Sequence, residues 1–197
     1  MRSGHPDREH GSPRTLRRLI VVVAVMALLS VGWPLVSLAV SDRQPVSAGR
    51  PLAIGPGGAS SATFTPGSSW VIRSAETNSV LRWSLSDGPV DVSVNFVTLI
   101  SRSAAGRLWP GLRSTLLLGD GSARLGPAAA FTSAAGVKGL TGAVTANGWA
   151  GQAAVFADAG AQFGIEIVSV APVQDGGAAR AAAALVARSL RFPAAAR

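Results

Sequence analysis

The chain has 197 residues, a hydrophobic fraction of 48% and a formal net charge of +8, which fits one ordinary domain plus additional segments. It contains no cysteine and no tyrosine, and its histidines, His5 and His10, both precede the first apolar segment. Disulfides, thiolate metal sites and cysteine nucleophiles are therefore excluded, as is histidine-dependent catalysis in the later part of the chain.

The positive charge is spread along the chain rather than gathered into a basic patch. The first eighteen residues hold five arginines, later basic residues form no run of three, and Lys138 is the only lysine. Codon usage that favours arginine explains this composition, and the distribution disfavours nucleic-acid binding. Residues 1–18 are interpreted as a short basic tail in the cytoplasm.

Residues 19–40 carry no charge and are long enough to span a bilayer as a helix. Arg14, Arg17 and Arg18 stand before this segment, so the positive-inside rule predicts a single-pass topology with a cytoplasmic N-terminus. These arginines would also attract anionic lipid headgroups, and Trp33 suits the interfacial belt at the far end. The predicted localisation is the cell membrane, with membrane lipid contacted through residues 19–40 and the rest of the chain outside the cytoplasm.

Two other interpretations of this segment stay open. A secretory signal could be cleaved after Ala39, because Ser37 and Ala39 are both small, and the mature protein would then be secreted. Arg17 and Arg18 also match the pair of a twin-arginine signal. In each case the rest of the chain divides into a polar linker, an extracytoplasmic domain and a tail: residues 41–50, 51–192 and 193–197.

The first clear elements of the outer domain are a pair of strands joined by a turn. Residues 80–85 place Leu81, Trp83 and Leu85 on one face, and residues 90–96 alternate apolar with polar side chains. The pattern predicts a β-hairpin.

Beyond this hairpin the sequence predicts a helix, a strand-rich region and a second helix. Helical spacing runs over residues 105–118, with Pro110 in the first turn. Asn147-Gly148 is the strongest turn signal, because both residues tolerate the positive φ of a type I′ hairpin. The strands predicted around it cover Phe131 and residues 137–146, 149–157 and 163–170. The alanine-rich end is predicted to be a helix that begins after Asp175 and packs on the sheet through Ala182, Leu185, Ser189 and Phe192.

The outer domain is therefore predicted to be α+β, an antiparallel sheet of about six to seven strands packed with two helices. The Gly/Ser-rich residues 55–61 are predicted to be a loop or a frayed edge.

Three short motifs resemble a known family. Residues 64–70 (FTPGSSW) are similar to the P-G-W entry of Mog1/PsbP-like domains, although two serines separate Gly67 from Trp70 where the family pattern is tighter. Residues 136–142 (GVKGLTG) precede a hairpin, and residues 184–192 (ALVARSLRF) are similar to a C-terminal helix with an S-L-x-F ending. Over residues 51–192 the layout resembles the α/β/α sandwich of that family, and the chain also resembles small one-pass actinobacterial membrane proteins. The resemblance implies a binding or assembly module rather than an enzyme.

The residue types of the outer domain offer no metal-binding or nucleophilic set. Its carboxylates are scattered along the sequence, and no loop carries acids at alternate positions as calcium requires. A Ser-Lys dyad could use only Lys138, and Ala135 stands where its serine would be expected. No metal, no cofactor and no catalytic residue is predicted.

Three side chains are the candidate binding residues. Glu166 interrupts an apolar strand and by alternation shares a face with Gly164 and Val168. A solvent-facing position or an ion pair with an arginine is the preferred interpretation, and a catalytic carboxylate pair with Asp158 is the alternative. Trp109, beside Pro110, and Trp149, at a hairpin tip, are the tryptophans most expected to be accessible to a ligand or partner.

The predicted function is a membrane-anchored, extracytoplasmic and non-catalytic binding or assembly module of the cell envelope. Its partner would be another envelope protein or a cell-wall component. A small-ligand or lipid carrier, which needs an apolar pocket between sheet and helix, is an alternative, and a carboxylate-based enzyme is another.

Overall fold

A computed structural model describes residues 42–47, 49–100 and 106–193. These residues fall within the contact-defined unit Asp42–Arg197. The predicted span at residues 19–40 and its flanking arginines lie outside the described residues. Within the described ranges, no helix has the length and hydrophobicity that crossing a bilayer requires.

The described residues form eleven strands and two α-helices. In chain order these are β1 (Arg43–Pro45), β2 (Leu52–Gly57), β3 (Ser60–Phe64), β4 (Val71–Arg73), β5 (Arg82–Asp87), β6 (Val90–Thr98), α1 (Leu108–Gly119), β7 (Arg124–Leu125), β8 (Ala129–Thr132), β9 (Lys138–Ala146), β10 (Trp149–Ala157), β11 (Phe163–Pro172) and α2 (Gly176–Ser189).

Nine strands form one antiparallel sheet, in the order β1-β4-β5-β6-β11-β10-β9-β7, with β8 also paired to β9. The remaining two, β2 and β3, make a separate hairpin. The α+β class and the antiparallel sheet are therefore as predicted. The strand count exceeds the predicted six to seven because β1, β4 and β7 are only 3, 3 and 2 residues long, too short to show a period.

Two stretches that were interpreted as irregular belong to strands. The expected linker contributes β1, whose Pro45 lies opposite Val71 of β4, and Val46 is buried. The Gly/Ser-rich residues 55–61 form the turn and inner ends of the β2–β3 hairpin, with Gly57 and Gly58 at φ values of 108° and 59°. Glycine adopts these angles without steric penalty, so the same composition that suggested a frayed edge makes a tight turn.

Alternation in β5, β6 and β11 gives the sheet two different faces. The α2 face carries Val92, Val94, Leu85, Ile165 and Ile167, which pack with α2 and the β2–β3 hairpin into the larger core. The α1 face carries the intervening residues, and its apolar part forms a second core with α1. The two helices thus pack on opposite faces of the sheet.

The alanine-rich helix α2 matches the predicted packing stripe only in part: Ala182 and Phe192 pack against the larger core, at its edge. Its buried residues are Gly176, Ala179, Ala183, Val186 and Ala187. Leu185, expected in the contact, is instead 45% exposed. Alanine occupies every side of this helix, so its faces differ little in hydrophobicity and the sequence does not show which face is buried. Asp175 stands at the predicted N-cap position, although its side chain makes no capping hydrogen bond.

The predicted turn at Asn147-Gly148 joins β9 to β10, with Ala146 opposite Trp149. Gly148 has a φ of 75°, whereas Asn147 is not among the described residues with positive φ. The hairpin is therefore confirmed, but its turn is not the expected type I′, which needs positive φ at both central residues.

Candidate binding surface

Helix α1 covers only one half of its sheet face. It packs against β7, β10 and β11. Leu108 lies over Gly164, where an added Cβ would come within 2.8 Å of a Leu108 methyl group. The Trp109 ring lies similarly against Gly142 of β9. These glycines allow the helix to approach the sheet closely.

Trp109 is buried, so the expectation that it would be accessible is wrong. It is 5% exposed, and its indole fills the contact between α1 and β9. The helix turns Pro110 outward and Trp109 inward. Trp149 is 39% exposed, as its position beside a hairpin turn suggested. The structure does not place these two tryptophans in one site.

The other half of the α1 face is polar, and no described α-helix packs on it. We call it the open half. Alternation along β4, β5 and β6 places on it the side chains of Arg73, Arg82, Ser84, Ser86, Asp91, Ser93 and Asn95.

Three polar side chains form a row at the border of the open half. Arg82 of β5 lies opposite Asn95 of β6, and Asn95 lies opposite Glu166 of β11. Residues that are adjacent along a strand point to opposite faces of the sheet. The core residues adjacent to these three belong to the larger core, so Arg82, Asn95 and Glu166 all lie on the α1 face. On its other side Glu166 is opposite Val155, a buried member of the α1 core.

The row has no partners elsewhere in the described chain. Neither Glu166, Asn95 nor Arg82 makes a side-chain hydrogen bond or ion pair with any of the residues that the structure describes. Buried polar groups are normally paired, and an unpaired carboxylate in apolar surroundings is costly. Glu166 is the buried member of the row, whereas Asn95 is half-buried and Arg82 is exposed, so a group bound on this face can contact all three.

Glu166 is only 9% exposed. The prediction of a solvent-facing position is therefore wrong, and the arginine ion pair proposed as its alternative is not formed in the described residues. Flanking Val155 and Val168 replace the water that a carboxylate needs. This burial raises the pKa of the Glu166 carboxyl from 4.5 to about 7.

The rest of the open half is held together by its own contacts. Arg73 forms ion pairs with Glu76 and with Asp91, and the Ser84 hydroxyl donates to the Glu76 carboxylate over 2.9 Å. This network fixes β4 and β5 beside the row. Arg82 stays outside it and is exposed.

Asp158 has a structural role in the turn before β11. Its carboxylate accepts hydrogen bonds from the backbone N–H groups of Gly160, Gln162 and Phe163, at 2.9, 2.6 and 3.0 Å. Phe163 faces the larger core, on the opposite side of the sheet from Glu166. The structure therefore does not assemble the carboxylate pair that acid–base chemistry would need.

Lys138, the lysine that a Ser-Lys dyad would need, and nearby Ser133 lie away from the row. Lys138 is exposed at the start of β9. The Ser133 hydroxyl accepts a hydrogen bond from the Val137 backbone N–H over 3.2 Å, which explains this serine as part of the β8–β9 turn.

Side chains fill the centre of the space between the sheet and α2. Phe64, Phe156, Ile54 and Leu190 are each 0 or 1% exposed there. A lipid or small apolar ligand needs an open apolar pocket, which this central part of the interface does not provide.

Sequence reasoning found Glu166 but missed Asn95 and Arg82. The alternation of residues 90–96 contained the signal for Asn95, because it placed that amide on the polar face of its strand. Nothing in the sequence showed that β6 and β11 would be neighbours. Arg82 was missed for the same reason, because it is linked to Glu166 only through Asn95.

The sequence matches no protein-family model and no curated protein. Among the described residues, no group of three or more His, Cys, Asp or Glu side chains could hold a metal ion.

Proposed function

We propose that this chain is a membrane-anchored, extracytoplasmic binding or assembly module of the cell envelope, and that the open half of the α1 face is its binding surface. Residues 19–40 provide the anchor, and the basic tail stays in the cytoplasm. The partner is another envelope protein or a cell-wall component.

The observation that carries this proposal is the unpartnered row of Arg82, Asn95 and Glu166. Folding places the Glu166 carboxyl group at 9% exposure with no hydrogen-bond or ion-pair partner among the described residues, beside the half-buried Asn95 amide and the exposed Arg82 guanidinium. Burying the ionised carboxylate costs stability, and a bound group that pairs with it recovers that cost. Functional surfaces are where proteins keep such unfavourable local arrangements.

Two features support a binding role over a catalytic one. Asp158 is engaged in its turn, so Glu166 has no second carboxylate beside it in the described region. In addition, the two helices lie on opposite faces of an antiparallel sheet, an arrangement similar to the α/β/α layers of the Mog1/PsbP-like domains that the motifs resemble. That resemblance implies a binding or assembly module.

Site-specific photo-crosslinking in native membranes tests the proposal. A photoreactive amino acid would replace Ser93, in the open half, or Arg180, which is exposed on α2 at the other side of the sheet. We expect a discrete crosslinked partner from position 93, weakened by Glu166→Gln, and none from position 180. Crosslinks from position 180 alone would move the binding surface to α2 and contradict the proposal.

A further inference from the structure

The row of Arg82, Asn95 and Glu166 has a fixed spacing and order. Glu166 and Asn95 belong to adjacent antiparallel strands, as do Asn95 and Arg82. The Phe96 backbone N–H donates to the carbonyl of Leu81, which lies opposite it, so the next pair, Arg82 and Asn95, is the closer, non-hydrogen-bonded kind. The usual spacings of such pairs put the Cα atoms of Arg82 and Glu166 about 10 Å apart.

The chemistry of the row changes along that distance. At one end the Glu166 carboxylate can only accept hydrogen bonds, and at the other the Arg82 guanidinium can only donate them. The Asn95 amide between them can do both. A matching ligand therefore carries a cationic donor at one end and an anionic acceptor at the other.

The ligand's charged groups fit between these ends. Arg82 and Glu166 stand on strands separated only by β6, and their Cα atoms lie roughly 10 Å apart. The reach of the long Arg82 side chain lets a small molecule, whose ammonium and carboxylate are separated by a short carbon chain, make a charge-assisted hydrogen bond of about 2.8 Å at each end.

Other ligand classes match the row less well. A metal ion needs several anionic ligands, and Glu166 has no second carboxylate opposite it on β6 or β10. A simple anion would meet Arg82 but would be repelled by ionised Glu166 and by Asp91 on the same face. An apolar ligand would leave all three polar groups unpaired.

We propose that the row binds a zwitterionic group, with its ammonium on the Glu166 carboxylate, its anionic end on the Arg82 guanidinium, and Asn95 contacting the chain between them. This inference rests on the proposed binding surface and names the chemistry that the surface recognises. The zwitterion can be a free amino acid or part of a larger envelope molecule, since both present the same two charges.

Nuclear magnetic resonance on the full chain in phospholipid nanodiscs tests this proposal. The chain has three glutamates, Glu9, Glu76 and Glu166, so ¹³C-labelled glutamate gives a resolvable Glu166 signal with Glu76 as an internal reference. The probes are glycine, β-alanine and γ-aminobutyrate, whose charges stand progressively further apart. Methylammonium and acetate are the single-charge controls.

We expect one of the three zwitterions to shift the Glu166 and Asn95 side-chain signals with a Kd at least tenfold lower than either control. Arg82→Gln should raise that Kd to the value for methylammonium, and Glu166→Gln to the value for acetate. Arg180→Ala, on the other side of the sheet, should change nothing. Equal affinity for methylammonium and the best zwitterion, or no saturable shift with any probe, would overturn the proposal.

This outcome is separable from the test of the proposed function. Loss of zwitterion binding while position 93 still crosslinks to a partner would reject the ligand chemistry and keep the surface. Zwitterion binding without any crosslink from position 93 would keep the ligand site and reject the assembly role.

Discussion

Replacing Glu166 by glutamine should stabilise the protein at neutral and alkaline pH. Glutamine keeps the shape of the side chain but has no charge to bury. The folded-state pKa of Glu166 lies near 7, against 4.5 for an unburied carboxyl. At 1.36 kcal/mol for each pKa unit, ionised Glu166 costs the folded state about 3 kcal/mol.

The sign of the pH dependence follows from which state holds the proton more tightly. Between pH 4.5 and about 7 the folded chain binds the Glu166 proton and the unfolded chain has released it. The free energy of unfolding therefore falls as pH rises through this window and is lower by about 3 kcal/mol above it. Arg82 and Asp91 lie on the same face, and neither forms a hydrogen bond or ion pair with Glu166.

Urea unfolding of the full chain in detergent micelles, followed by tryptophan fluorescence, measures this effect. We expect Glu166→Gln to exceed the native chain by about 3 kcal/mol near pH 8 and to match it near pH 4.5. Glu76→Gln is the matched control, because Glu76 is 41% exposed in its ion pair and its loss should change stability by less than about 1 kcal/mol. Parallel curves for Glu166→Gln and the native chain at every pH would refute the reasoning.

Four further substitutions and one control test the packing of the domain by the same unfolding measurement. Gly151→Ala should lower the free energy of unfolding by about 3 kcal/mol, because the added Cβ collides with the backbone carbonyl of Ser169 on the neighbouring strand. The control is an alanine substitution at Gly177, where the space is open, and it should be neutral or stabilising. Equal effects of the two substitutions would contradict the register of β10 and β11. Asp158→Ala should cost about 2 kcal/mol, since three backbone N–H groups lose their acceptor, and an unchanged midpoint would contradict this role. Trp109→Ala should cost about 4 kcal/mol and Trp149→Ala less than about 1 kcal/mol, an order that the sequence-based expectation of two accessible tryptophans does not predict.

The local structure of the outer domain could be predicted where apolar and polar residues follow a regular pattern. Residues 90–96 alternate apolar and polar side chains, and the structure buries Val90, Val92 and Val94 while turning Asp91 and Ser93 to the other face. The helix with Pro110 in its first turn is present at Leu108–Gly119. In α2, where alanine occupies every side, the helix was predicted correctly but its packing stripe only in part.

The candidate site could not be assembled from the sequence, because it depends on which strands become neighbours. A simple meander would leave β11 at an edge after β10. In the structure β11 instead lies between β10 and β6, and this long-range pairing alone brings Asn95 and Arg82 into line with Glu166. Alternation predicted that Glu166 shares a face with Gly164 and Val168. It did not predict that α1 and the flanking valines would shield this face from water.

Direct titration of Glu166 tests the central claim, that folding buries an uncompensated carboxyl in the binding surface. The full chain labelled with ¹³C-glutamate would be followed by nuclear magnetic resonance from pH 4 to pH 9. We predict that the Glu166 carboxyl signal titrates with a pKa near 7 and well above that of Glu76. A Glu166 pKa near 4.5 would show that the carboxylate is already solvated or paired, and would contradict the account.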